Sequence, residues 1–126
     1  MNKIIRTILF GLLIWAIPFA VSFFMWDVAT NAPRVSMPWF NATMAFTFAI
    51  GMAIAICFYF RPVKKKDAIK EGWTAGLIWY LVLIIMDYIV LVNIFNMTIT
   101  DYYPMLLTYL NALAISAGVG YLLSKR

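Results

Sequence analysis

The chain has 126 residues, of which 65% are hydrophobic and only 12% charged, with a mean hydropathy of +0.90. Soluble domains are roughly 45–50% apolar and about 25% charged, so this composition excludes an ordinary water-soluble fold and points to a chain solvated by lipid. The net charge of +5 does not make nucleic acid a partner, because no basic face alternates with exposed aromatics as strand recognition requires.

A bilayer-spanning helix needs about 20 mostly apolar residues, and four segments qualify: residues 7–26, 38–60, 73–95 and 102–123. The expected fold is all-α: one integral membrane domain over residues 1–126, a bundle of four transmembrane helices in two consecutive hairpins. Nine of the ten basic residues are Lys3, Arg6, Arg61, Lys64, Lys65, Lys66, Lys70, Lys125 and Arg126, and only Arg34 falls on the other side. Lys and Arg accumulate on cytoplasmic loops, so both termini and the 61–72 loop are expected inside, on the cytoplasmic face of the membrane.

The first segment follows Lys3 and Arg6 as a secretory signal would. Its apolar run is too long for a signal core and ends in "SFFMWD" without a small-residue cleavage site, so it reads as a retained helix. Gly11, Trp15, Pro18 and Ser22 share one face. Pro18 has no N–H to give the Ile14 carbonyl, which predicts a kink there and a carbonyl that needs another partner inside a membrane.

Ser36 is placed to cap the second helix, with Pro38 in its first turn. Thr43, Thr47, Gly51 and Ala55 then recur at every fourth position. Small residues at that spacing let membrane helices approach backbone to backbone. The basic loop "RPVKKKDAIKEG" sets topology, and a lysine cluster just inside a membrane also attracts anionic headgroups. Membrane lipids are therefore expected partners.

The third segment contains "LIIMDYIVLVNIF", with Asp87 deep in an apolar run. Trp73, Tyr80 and Asp87 are seven apart and with Gly76 share a face. The fourth helix opens on "TITDYYP", in which Thr98 and Asp101 have capping-box spacing and Pro104 sits near the start. Thr108, Ala112, Ser116 and Gly120 form a second small-residue stripe. The second and fourth helices are thus expected to be the closely packed inner pair, against each other or a second copy. Asn41-Ala42-Thr43 and Asn96-Met97-Thr98 match the N-glycosylation pattern, but both lie at or beside helix ends and read as structural or accidental.

Internal similarity adds one expectation. A shift of 64 places Ile5, Arg6, Leu13, Ile14 and Trp15 on Ile69, Lys70, Leu77, Ile78 and Trp79. A shift of 65 superposes the two small-residue stripes. Together they raise the prospect of a duplicated hairpin with parallel repeats.

At about 1.5 Å per residue, Asp87 lies roughly 12 Å inward of Phe95, and Asn111 roughly 14 Å inward of Tyr102. The two are expected to be level, with Thr43, Thr47, Thr108, Ser22 and Pro18 nearby, forming a polar layer. Tyr80 is expected to reach the carboxyl group through water. A charge at this depth costs about 2.5 kcal/mol or more. The carboxyl group can stay protonated or face a wet cavity and bind a cation. With no basic residue in the predicted hydrocarbon region, a salt bridge to Asp87 within one protomer is not expected.

The stretches "ILFGLLIWAIPFAVSFF" and "MTITDYYPMLLTYLNALAISAGVGYLL" resemble those of small, uncharacterised prokaryotic four-helix membrane proteins, with likeness over nearly the whole chain. The resemblance implies a complete protein of this size and carries over no catalytic residue or cofactor. Small multidrug exporters differ, because their essential glutamate lies in the first helix, where this chain has no acid before Asp27.

The leading functional expectation is a small transporter or channel-like protein, working as a homodimer or larger assembly. Its polar layer, formed by Asp87, Asn111, Tyr80, Thr43, Thr47, Thr108 and Ser22, would bind a proton, cation or small polar solute. The alternative is a non-transporting accessory or lipid-interacting module in which Asp87 and Asn111 form a structural clasp. An enzyme is not expected: Asp27, Asp67, Glu71 and Asp101 are placed at the surfaces or in the loop, away from Asp87. The chain has no His, and its single Cys57 offers no Cys–His pair and no disulfide. With no histidine in the chain, a His-containing metal site is excluded, and no cofactor is expected.

Overall fold

A computed structural model describes residues 2–27, 29–30, 32–94 and 98–126. The molecule is 84% helical, and its four helical spans are each long and apolar enough to cross a bilayer. It is a multi-pass membrane protein built as an all-α four-helix bundle. Large apolar side chains such as Phe24, Trp39, Phe46, Leu107 and Leu122 stand exposed around it, the pattern expected when the solvent is hydrocarbon rather than water.

The first helix, α1, runs Lys3–Met25 without interruption through Pro18. Its N-cap is Asn2, whose side-chain oxygen accepts from the Ile4 N–H at 2.8 Å. Two-residue strands β1 (Trp26–Asp27) and β2 (Ala32–Pro33) pair antiparallel in the connection between the first two spans. Helix α2 spans Met37–Tyr59 after Ser36, with proline in its first turn and no side-chain cap bond from the serine. A short 3-10 turn, Lys65–Asp67, leads into α3, Ala68–Asp87, which continues as a π-helical turn over Tyr88–Ile94. Thr98 caps α4, Ile99–Thr108, by accepting from the Asp101 N–H at 3.2 Å. Helix α5, Leu110–Ser124, follows directly. Phe95 and the Asn96 sequon lie outside the described residues.

Three of the spans begin earlier than hydropathy suggests, α1 at Lys3 rather than residue 7 and the last at Ile99 rather than 102. The third span begins at Ala68 instead of residue 73, because a helix can continue beyond the hydrocarbon once its charged residues find partners. The last span is two helices, broken at Tyr109, whose carbonyl accepts from Ala112 N–H in a tight three-residue step.

The packing order also corrects the expected inner pair. Helix α3 packs most extensively on α5, α1 packs on α2 and on α3, and α2 and α5 barely meet. The central pair is therefore α1–α3, with each stripe of small residues turned toward its own hairpin partner. A Cβ added at Gly51 would sit 3.2 Å from the Ile14 Cα and 3.3 Å from its carbonyl oxygen, so α2 lies directly against the carbonyl that Pro18 leaves without its N–H. Ala55, with no exposure, continues that seam. On the other hairpin, a Cβ at Gly72 would lie 2.7 Å from the Ser116 carbonyl oxygen and one at Gly76 2.9 Å from the Leu113 Cα. A Cβ at Gly120 would collide with the Ala68 carbonyl oxygen and meet the Gly72 Cα at 3.0 Å. Ser116 is fully buried and donates to the Gly72 carbonyl at 2.8 Å, and Ala112 is fully buried beside it.

Two tryptophans set the register of the parallel α1–α3 pair. Trp79 Nε1 donates to the Thr7 carbonyl at 2.9 Å, and Trp15 Nε1 to Asp87 Oδ1 at 2.7 Å, both across 72 residues. Trp15 and Trp79, which the 64-residue shift equates, therefore sit eight residues apart in level, or about 12 Å at the helical rise.

Gly120→Val should overpack the α3–α5 seam and lower stability in detergent by about 1–3 kcal/mol, read as a fall in melting temperature. Gly118→Ala, where an added Cβ has nothing within 4 Å, should leave the melting temperature nearly unchanged.

Candidate functional site

The buried face of α3 runs Glu71, Ala75, Trp79, Leu83, Asp87, every fourth residue. It carries a carboxylate at each end, about 24 Å apart along the helix. Around each lies a polar cluster, and the two are separated by a closed core.

At the end remote from the basic loop, Asp87 is only 6% exposed. Its Oδ1 accepts from Trp15 Nε1, and its Oδ2 accepts from the Tyr109 hydroxyl. One group thus joins α1, α3 and the junction of α4 with α5. Trp15 is held flat against Phe19, with ring centroids 4.6 Å apart, and Tyr109 leans on Phe48 at 5.8 Å. Among the described residues no group of three or more acidic, histidine or cysteine side chains comes together as a metal site would need. The π-helical turn begins at the next residue; such turns displace backbone carbonyls from the regular ladder. The Ile84 carbonyl one turn earlier accepts from the buried Tyr102 hydroxyl.

Asn111 does not share this site and corrects the expected clasp. It is exposed, and the register that brings Gly76 against Leu113 places it level with the region of Leu77, about 15 Å inward of Asp87. The depth count failed because it set the ends of the third and fourth spans level: the start at Ile99 rather than residue 102 sinks Asn111 by only about 4.5 Å, and the stagger of α5 on α3 supplies the rest. Tyr80 likewise turns away from the carboxyl group, donating to the Leu106 carbonyl at 2.8 Å, and Trp73 is 52% exposed.

The hydroxyls expected in the polar layer bond within their own helices. Thr43 donates to Trp39, Thr47 to Thr43 and Met44, Thr108 to Pro104, and Ser22 to Phe19, all through carbonyl oxygens. Of these, Thr47 is buried and Thr108 exposed. The layer therefore reduces to Asp87 with Trp15 and Tyr109, and Tyr102 just beside them.

The second cluster was not expected, and it corrects the placement of Glu71 at the surface. Glu71 is 3% exposed. Its Oε1 pairs with Lys3 Nζ, and its Oε2 accepts from the Tyr59 hydroxyl at 2.8 Å. That hydroxyl is also 3.0 Å from Thr7 Oγ1. The Arg6 guanidinium donates to the carbonyls of Phe58 (3.0 Å) and Tyr59 (3.1 Å) and lies 4.8 Å from the Tyr59 ring centroid. It places positive charge on the carboxyl-terminal end of α2, where the helix dipole favours it. Tyr59 packs edge-on to Trp79, with centroids 5.4 Å apart.

Beside this cluster a cleft of about 330 Å³ opens at the basic end, lined by Lys3, Arg6, Tyr59, Lys64, Lys66, Asp67 and Glu71 with Pro62 and Val63. The missed signal was the four-residue phase: Glu71 leads the same stripe that ends in Asp87. Between the two clusters Ile14, Met52, Trp79 and Leu83 are at most 2% exposed. Among the described residues no buried side-chain nitrogen or oxygen lacks a partner.

No protein-family model, curated protein or solved structure matches the chain.

Tyr59→Phe should strip both Glu71 and Thr7 of a buried partner. The expected cost is about 1–3 kcal/mol for a buried polar group left unsatisfied, measured as a lower unfolding midpoint in detergent. Tyr80→Phe, which frees only one backbone carbonyl, should cost less.

Proposed function

We propose that the chain is a non-transporting membrane module of the lipid-interacting or accessory kind, in which Asp87 is a structural clasp. The single observation that carries this reading is that both carboxylate oxygens of Asp87 accept hydrogen bonds, one from α1 and one from the α4–α5 junction. With each oxygen engaged from a different part of the bundle and the residue only 6% exposed, the carboxylate ties α1, α3 and the α4–α5 junction together. The burial of Ile14, Met52, Trp79 and Leu83 between Asp87 and Glu71, each at most 2% exposed, supports the same reading. Membrane lipids are the expected partners, and no catalytic chemistry is assigned to the module. By the charge rule its basic end faces the cytoplasm.

The clasp makes a specific demand on substitutions. Asp87→Asn keeps an acceptor for Trp15 and a group for Tyr109, and should be tolerated within about 1 kcal/mol, the scale of one interhelical bond in a membrane. Asp87→Leu strands two buried donors and should destabilise by about 1–3 kcal/mol for each. Melting of the three proteins in detergent reads the difference directly.

A transport reading keeps one specific support: a π-helical turn follows directly on a buried carboxylate, and such turns recur at functional sites. It would require a homodimer or larger assembly with the path between copies. Wild-type protein in liposomes should show no flux above protein-free vesicles over a panel of protons, monovalent and divalent cations. Flux that Asp87→Asn abolishes while folding is kept would reverse the choice between the readings.

A further inference from the structure

The cleft at the basic end is surplus to the packing of the bundle, and its composition is selective. Lys3, Arg6, Lys64 and Lys66 face it against Asp67 and Glu71, giving a net charge of +2. Lys3 and Glu71 neutralise one another. Arg6 is held in place by two carbonyls through one nitrogen, which leaves the rest of its guanidinium fork available for other acceptors. Among the described residues Lys64 and Lys66 make no ion pair within 4.0 Å, and both are exposed. The wall is rigid where it matters: Tyr59, 1% exposed, is fixed by Thr7 and Glu71, and Pro62 and Val63 complete it with apolar surface.

We infer that this cleft is a binding site for a phosphate group, with Arg6, Lys64 and Lys66 as its ligands. A planar guanidinium flanked by two mobile ammonium groups matches the several oxygens of a phosphate. Arg6 and Tyr59 lie at the ends of the first two spans, where inner-leaflet phosphates sit under the orientation proposed above. Juxtamembrane lysines attract anionic headgroups at about 1 kcal/mol each; a walled cleft adds a defined position to that diffuse attraction. The Pro62 and Val63 surface suits the glycerol and first methylenes of a phospholipid, while a free phosphate would use the cations alone. The inference deepens the lipid-interacting reading and rests on it only for the orientation of the basic end; it is independent of the Asp87 clasp.

The test is thermal melting of the full chain in a neutral detergent, titrated in separate arms with short-chain phosphatidylglycerol, short-chain phosphatidylcholine and inorganic phosphate. Phosphatidylglycerol should raise the melting temperature saturably and phosphatidylcholine should not. The double variant Lys64→Ala/Lys66→Ala should melt where wild type does without lipid and need at least about tenfold more lipid for the same rise, the loss of roughly 1.4 kcal/mol. Lys65→Ala/Lys70→Ala, which removes equal charge from outside the cleft, should respond as wild type does. An equal rise with inorganic phosphate supports the site and identifies a free phosphate as its source. No rise with either phosphate source, or equal losses in the two double variants, overturns the site. Either result leaves the Asp87 variants to decide the clasp on their own.

Discussion

Lipid tails are as apolar as leucine, so helices of this composition gain little by hiding side chains from their solvent. What holds α1 against α3 is therefore polar and geometric. Two indole N–H groups, on Trp15 and Trp79, reach across the pair at the same sequence offset and fix which turn of one helix faces which turn of the other. Each such bond contributes about 0.6 kcal/mol on average and at most about 1.7. Their value as specificity devices exceeds their energy: a slip of one turn would strand an indole and a carboxylate in hydrocarbon. The outer helices then attach where glycine or alanine permits backbone contact, α2 on α1 through Gly51 and α5 on α3 through Gly72, Gly76 and Gly120.

The two carboxylates express one rule in different surroundings. Neither is tolerated deep in the bundle alone. Asp87 is met by neutral N–H and O–H donors because no cation reaches that level. Glu71 lies near enough to the headgroups for Lys3 to extend to it from the chain start, with Tyr59 satisfying its second oxygen. A membrane protein can keep an acid at either depth provided that the donors arrive from another helix, and here three of the four partners do so as long, rigid aromatics.

Much of this was legible in the residues. Hydropathy alone located four spans, Thr98 marked the start of α4, and the small-residue stripes identified the surfaces that approach closely. The partner of each stripe was not legible, because a four-residue spacing states that a face is smooth and not which helix lies on it. Asn111 was drawn to Asp87 by a depth count that assumed unstaggered ends, and the staggered α3–α5 register removed it. Glu71 was misplaced because charged residues were taken to end a helix, although a four-residue spacing runs back from Asp87 through Leu83, Trp79 and Ala75 to it. Trp15 and Tyr109 escaped notice as donors since tryptophan and tyrosine are so common in this chain that their polar tips carried no signal.

The grip of Arg6 on the last two carbonyls of α2 has a consequence for biogenesis. Residues 6, 58 and 59 all leave the ribosome before α3 is complete, so the first hairpin can close its basic end by itself. Thr7 and Tyr59 are then already side by side, and Lys3 stands next to them. When α3 enters, Glu71 finds its donors assembled and Trp79 finds the Thr7 carbonyl. The order of synthesis thus coincides with the order in which the basic end can be built, while Asp87 meets Trp15 first and Tyr109 only when the last span arrives.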